Sequence, residues 1–198
     1  MQLTDSFPKA FPLFTALSIY ASVKTSQLSL PSPLLGHGLS ILLPILTSIV
    51  VFHRFLPQVT SKTSFFSRQL IRMLALTILG LLDAVLLTLG STLLTPELQT
   101  CSLETRWRAL FQAHNVNAIR GIQDALNCCG LRTTLDQPWP WPDNHGARYC
   151  RENYRRERSC EVGWRAREVQ VLTIWIVVGV GGLVIKVRPN VARLKAES

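Results

Sequence analysis

Residues 74–94 contain a single ionisable group, Asp83, and residues 169–185 contain none. A helix rises about 1.5 Å per residue, so roughly 20 apolar residues cross a hydrocarbon core of about 30 Å. Inside lipid each backbone polar group must find its partner within the protein, which leaves helices as the form a single apolar segment takes. The clearest spans are 73–95 (MLALTILGLLDAVLLTLGSTLLT) and 169–187 (VQVLTIWIVVGVGGLVIKV). The second holds Trp175, and Lys186 and Arg188 stand where they would snorkel out at its end. A third span, 34–52, carries Pro44, which a membrane helix tolerates as a kink.

Residues 7–23 are harder to place, because Pro8, Lys9 and Pro12 interrupt the start. A signal peptide would need a basic lead and a small-residue cleavage site, and Ala21-Ser22-Val23 fits that poorly. A soluble amphipathic helix is the alternative. The segment reads best as a short or incomplete first span. The expected architecture is therefore an all-α membrane protein, a bundle of four transmembrane helices with one large loop.

Composition agrees with segregation along the chain. The chain is 47% hydrophobic yet carries 21 Lys and Arg, for a net charge of +9. A nucleic-acid partner does not follow, because residues 96–168 hold eleven Arg against nine acidic residues, a net of +2. The remaining excess flanks the apolar segments. Between the second and third spans (53–72) lie Arg54, Lys62, Arg68 and Arg72 without an acid. After the last (188–198) come Arg188, Arg193 and Lys195 against Glu197. Short basic loops face the cytoplasm. Residues 96–168 are then expected outside, with 24–33 as a small outer loop.

All five cysteines (Cys101, Cys128, Cys129, Cys150 and Cys160) fall in the long loop, where an oxidising setting permits disulfides. Adjacent Cys128 and Cys129 do not easily bridge each other, so each is expected to reach a distant partner, with Cys150 and Cys160 available. Gly130 supplies the permissive backbone of a sharp turn. Before the pair, Trp107, Leu110, Phe111, Ala118, Ile119, Ile122 and Leu126 recur at helical steps and predict one amphipathic helix leading into the turn. After it, the prolines of Gln137-Pro-Trp-Pro-Trp-Pro-Asp143 force an irregular path, while Trp139 and Trp141 offer apolar surface. Such a small segment needs disulfides to be ordered.

Zinc binding by cysteines with His145 is disfavoured, since the outer location favours disulfides and no Cys-x-x-Cys pair with a matching second pair exists. His114 and His145 lack a recognisable nucleophile and orienting carboxylate. No Asn-x-Ser/Thr sequon occurs. Neither a cofactor nor a small-molecule substrate is expected, and no nucleophile elbow, phosphate loop or metal motif points to an enzyme.

The four spans, the short and long outer loops, and Asn127-Cys-Cys-Gly130 resemble the tetraspanin family. Trp139-Pro-Trp-Pro-Asp-Asn-His-Gly146, followed by Cys150, Cys160 and Trp164, resembles its fungal branch, as does Ile119-Arg-Gly-Ile-Gln-Asp124. The resemblance runs from about Gln27 to Val187. It implies the pairs Cys128–Cys160 and Cys129–Cys150, one of three connectivities open to four cysteines. Cys101 is then unpaired and is expected to be a buried free thiol, with a bridge to a partner chain as the alternative. The family's palmitoylated cysteines at the cytoplasmic face have no counterpart here, and the first span is short for it.

The resemblance implies a scaffold that organises other membrane proteins, or further copies of itself, laterally among membrane lipids. Partner contact is expected around Trp139, Trp141 and His145. Small residues Gly179, Gly181 and Gly182, with Gly80 and Ala84, would allow close helix approach, and for Gly179 and Gly182 packing within the monomer is favoured over dimerisation. Asp83 is expected to be protonated and to bond a neighbouring helix through Ser48 or Thr47. The second function class is a small transporter or ion pathway built on Asp83, which would want further polar groups at the same depth. Plasma membrane is the expected location, with endomembranes as the alternative.

Overall fold

The computed structural model describes residues 7–52, 65–142, 146 and 148–197. Among them there are helices and loops and no strand. Helix α1 (Phe7–Leu28) is longer than the expected 7–23 and takes in part of the small outer loop. It ends on Ser29 in the left-handed region, with the Leu30 N–H donating to Thr25 O at 3.1 Å. Pro31 and Pro33 then stop any continuation. Helix α2 (Leu34–Phe52) follows at once.

Pro44 has no N–H for the carbonyl of Ser40. Ser18 Oγ of α1 donates to that carbonyl at 2.7 Å, and both serines are fully buried. The freed acceptor is thus satisfied from the neighbouring helix, the condition under which a proline is tolerated here.

Helix α3 (Phe65–Leu93) begins well before the expected span, and Pro96 opens α4 (Pro96–Gln112) with Thr95 as its N-cap residue. The single amphipathic helix expected up to Leu126 is instead two. α4 ends at Gln112, and α5 (Val116–Leu126) starts from Asn115, whose side chain accepts from Ala118 N. Helical phase explains the break. Leu103, Trp107 and Leu110 are buried on α4, and Ile119 and Ile122 on α5. From Leu110 to Ile119 a continuous helix would turn about 900°, leaving the two sets on opposite faces. His114, at φ 48°, re-aims the chain so that both sets face inward. Among the described residues, α6 (Tyr149–Tyr154) and α7 (Cys160–Glu197) follow. α7 extends the expected span 169–187 in both directions.

The chain divides into two compact units, one of residues up to Tyr20 with Leu34–Ser91 and the chain from Thr173, the other of Ala21–Pro33 with Thr92–Leu172. In the first, helical segments pack around Leu43, Leu79, Leu86, Trp175 and Val178, while Leu42, Ile49, Ile78, Leu81 and Val180 are exposed. Two helices, Met73–Leu93 and Cys160–Val187, are long and apolar enough to cross a membrane. Only 22% of the most apolar stretch of the former is buried, unlike the core helix of a soluble domain. Leu34–Val50, within α2, is also an apolar helical stretch.

The second unit has its own core. Trp107 of α4 and Trp164 of α7 are fully buried and meet edge to face at 5.7 Å. Trp164 Nε1 donates to Leu28 O at 2.9 Å, tying α1 into this core.

Candidate functional site

The cysteine turn is built by its backbone. α5 ends on Asn127 in the left-handed region, and the Cys128 N–H caps it by donating to Gln123 O at 3.1 Å. Gly130 follows at φ 62°. A Cβ there would lie 2.2 Å from Thr133 O and 2.7 Å from Asp136 O, so no other residue fits without moving backbone. Leu131 N–H donates to Asp136 O at 3.0 Å and closes the turn.

Disulfides join Cys128 to Cys160 and Cys129 to Cys150, with Cα–Cα distances of 5.1 and 6.0 Å. This is the connectivity that the family resemblance implies. Backbone bonds run beside the first bridge: Cys129 N to Arg158 O (2.9 Å), Cys160 N to Gly130 O (3.0 Å) and Glu161 N to Leu131 O (3.0 Å). All four bridged cysteines are buried, and none remains as a thiolate for a metal. Cys101 is free, but exposed rather than buried. The inward positions of α4 are Gln99, Leu103, Trp107 and Leu110, and Cys101 lies about 200° around the helix from Gln99.

Gln123 carries the node under the turn and is fully buried. In the amide orientation that satisfies its neighbours, it donates to Trp139 O (3.1 Å) and accepts from the N–H groups of Gly130 (3.1 Å) and Trp139 (3.3 Å). One side chain thus holds the glycine turn against the proline-rich segment. Nothing in the sequence pattern singled it out, because a glutamine on an amphipathic helix reads as a solvent residue.

Trp139 and Trp141 are half-buried and used inside the unit. Trp139 stacks on Tyr154 at 6.2 Å with the Arg120 guanidinium over its ring at 5.1 Å. Trp141 meets Phe111 and His114 edge-on at 4.8 and 5.0 Å. Arg120 and Arg156 share Asp124, the latter at 2.6 Å. These contacts order the proline-rich segment and leave part of each indole exposed. His145 lies outside the described residues.

The second polar constellation is among the apolar helices. Asp83 is 1% exposed and its Oδ2 accepts from Lys186 Nζ, which also donates to Leu79 O at 3.3 Å. Two sequence expectations are corrected by this. Asp83 takes Lys186 as its partner rather than Ser48 or Thr47; Ser48 Oγ donates to Ile45 O within its own helix. Lys186 does not snorkel: it is 7% exposed, because α7 continues to Glu197 and the residue one turn earlier on the same face is Gly182.

The glycines of α7 explain the close approach. A Cβ on Gly182 would lie 2.8 Å from Asp83 Oδ2, and one on Gly179 would lie 2.8 Å from Leu87 Cγ. Gly181 meets Phe14 of α1 instead, at 2.4 Å. Gly80, expected to help, has nothing within 4 Å, and Ala84 is exposed. Gly36 of α2 was missed: a Cβ there would sit 2.2 Å from the Trp175 ring, against which His37 also packs at 4.9 Å.

Just before the apolar part of α7, Glu168 is 3% exposed, and burial raises its carboxyl to about 7, with the nearby Arg165 opposing that rise. Arg165 is held by Glu161 (2.7 Å) and by Thr100 of α4 (2.8 Å).

No protein-family model, curated protein or solved structure matches the chain.

Proposed function

We propose that this chain is a tetraspanin-like membrane scaffold. Its four helical segments α1, α2, α3 and α7 span the bilayer with both short basic loops in the cytoplasm. The unit containing α4 to α6 forms the large outer loop, and its role is to gather other membrane proteins, at the plasma membrane first. The observation that carries this reading is the Cys128-Cys129-Gly130 turn, closed by two disulfides to Cys160 and Cys150 between two apolar helices. Disulfides support an oxidising, non-cytosolic side for that unit. The exposed aliphatic side chains of α2, α3 and α7 support a lipid environment for the helices.

Partner contact falls on the surface around Trp139, Trp141 and His145. The test is co-purification of membrane partners in mild detergent, compared between the native chain and Trp139→Ala. Loss of partners with both disulfides intact by non-reducing peptide mapping supports the assignment. Full retention of partners would move the contact surface elsewhere.

A second reading has one observation in its favour. A transporter or ion pathway wants several polar groups at one depth, and Asp83 has Lys186 and Thr47 beside it rather than standing alone. Substrate or ion flux in proteoliposomes that Asp83→Asn abolishes would establish that reading over the scaffold.

A further inference from the structure

Charge is spread unevenly over the disulfide-closed unit. Residues 148–158 hold five Arg and two Glu, a net of +3, whereas the rest of residues 96–168 holds six Arg and seven acids, a net of −1. Arg148, Arg151, Arg155 and Arg158 are exposed, and among the described residues their guanidinium groups meet no acidic partner. Glu104, Asp124 and Glu161 are taken by other arginines. Arg151 and Arg148 lie about 100° and about 160° around α6 from the buried Cys150, so both point away from the core. Arg155 ends the helix at φ 52° and ψ 41°, the left-handed region in which glycine is the usual residue. An arginine there costs about 1 kcal/mol of backbone strain, and its guanidinium bonds to nothing among the described residues. Strain kept at a side chain that the fold does not use is a pointer to function. Next to it Tyr154, stacked on Trp139, is 39% exposed.

We propose that this arginine face of α6 is the docking surface for an acidic segment of a partner protein, one rich in Asp and Glu. The inference rests on the scaffold reading and gives the partner contact beside Trp139 its chemistry. A guanidinium pairs with a carboxylate through two parallel N–H bonds, a fit that a planar fork makes and an ammonium does not. Six residues of helix are about 9 Å long, so the carboxylates of one short segment reach all of the arginines together. The bridge from Cys150 to Cys129 fixes α6 in place before docking, which lowers the ordering cost of binding. The exposed part of Tyr154 adds apolar contact to a face that is otherwise cationic.

The experiment uses the purified full chain in nanodiscs of neutral lipid, titrated at low salt with fluorescent oligo-glutamate, oligo-lysine and a sulfated polysaccharide. Oligo-glutamate should bind and weaken as salt rises, and oligo-lysine should not bind. Arg148→Gln with Arg151→Gln should weaken oligo-glutamate binding by about tenfold. Arg108→Gln with Arg167→Gln, the same loss of charge elsewhere in the unit, should leave it near native. Arg155→Gly should also weaken binding while the thermal midpoint stays at or above the native one, because glycine relieves the left-handed backbone; that separates docking from folding. No oligo-glutamate binding, equal loss in the two double variants, or binding of the polysaccharide alone would overturn the proposal. Co-purification of membrane partners distinguishes it from the scaffold reading. Partners lost in Trp139→Ala but retained in Arg148→Gln with Arg151→Gln would overturn the acidic docking surface and leave the scaffold standing.

Discussion

The two disulfides close nested rings, yet their loss should be felt in different places. Replacing Cys129 and Cys150 by alanine opens a ring of sequence separation 21, and replacing Cys128 and Cys160 opens one of separation 32. Chain entropy alone assigns these about 3.3 and about 3.7 kcal/mol at 25 °C, which makes the larger ring the costlier one overall. Local consequences run the other way. Segments 128–131 and 158–161 remain tied by three backbone hydrogen bonds when the Cys128–Cys160 bridge is gone. Among the described residues α6 has no such tie, since its flanking backbone bonds (Gly146 to Pro142, Tyr149 to Gly146, Glu152 to Arg148) stay within residues 142–152. Beyond Cys150, side chains hold it: Tyr154 on Trp139, and Arg156 to Asp124.

About 3.3 kcal/mol corresponds to a roughly 270-fold rise in the opening equilibrium of α6. Hydrogen exchange by mass spectrometry over Tyr149–Tyr154, with trypsin cleavage at exposed Arg151 and Arg155, reads that opening. We expect Cys129→Ala with Cys150→Ala to expose α6 while α5 and the start of α7 keep their protection. Unchanged exchange in α6, or equal opening of α6 in both double variants, would refute the reasoning.

Removing one member of the buried pair by Lys186→Met should cost about 3–5 kcal/mol, because Asp83 is left buried and alone. Adding Asp83→Leu to Lys186→Met should recover most of that loss, as measured by thermal unfolding in detergent. Gly36→Ala should destabilise by about 1–3 kcal/mol through the Trp175 ring and shift tryptophan fluorescence. Glu168 has a folded-state carboxyl raised from 4.5 to about 7. Its contribution is thus fully present below pH 4.5 and is lost as the pH rises through about 7, a change on the order of 3 kcal/mol. Glu168→Gln should flatten the pH dependence of unfolding between those limits, and an unaltered slope would assign it to other groups.

The features legible in the sequence are those set by local composition. The apolar runs around residues 73–93 and 169–187 are helices long enough to cross a membrane, and Gly130 stands where only glycine fits. Helix ends were less legible. α1, α3 and α7 all run past their apolar segments, because polar residues also sustain a helix; α1 ends only at Ser29, in the left-handed region. The break at Ala113–Asn115 is encoded in the phase shift between Leu110 and Ile119, a signal that counting apolar residues without their angles overlooks.

The polar positions were least legible. Lys186 next to the end of an apolar run has the sequence of a snorkelling residue, and only Gly182 one turn away opens the path to Asp83. Cys101 looked like a core thiol because cysteines are usually buried, yet its angle on α4 turns it outward. Gln123 and the indoles of Trp139 and Trp141 owe their roles to contacts between segments distant in sequence, which no local pattern contains.

Cys101 also supplies the most direct test of the central claim, that the disulfide-closed unit lies on the outer side of a membrane-spanning bundle. Four of the five cysteines are bridged and the fifth is free and exposed, so a membrane-impermeant maleimide has one native target. Labelling of intact cells, followed by mass spectrometry of the Cys101 peptide, should show modification without permeabilisation and none in Cys101→Ser. Modification only after the membrane is opened would place that unit inside and contradict the account.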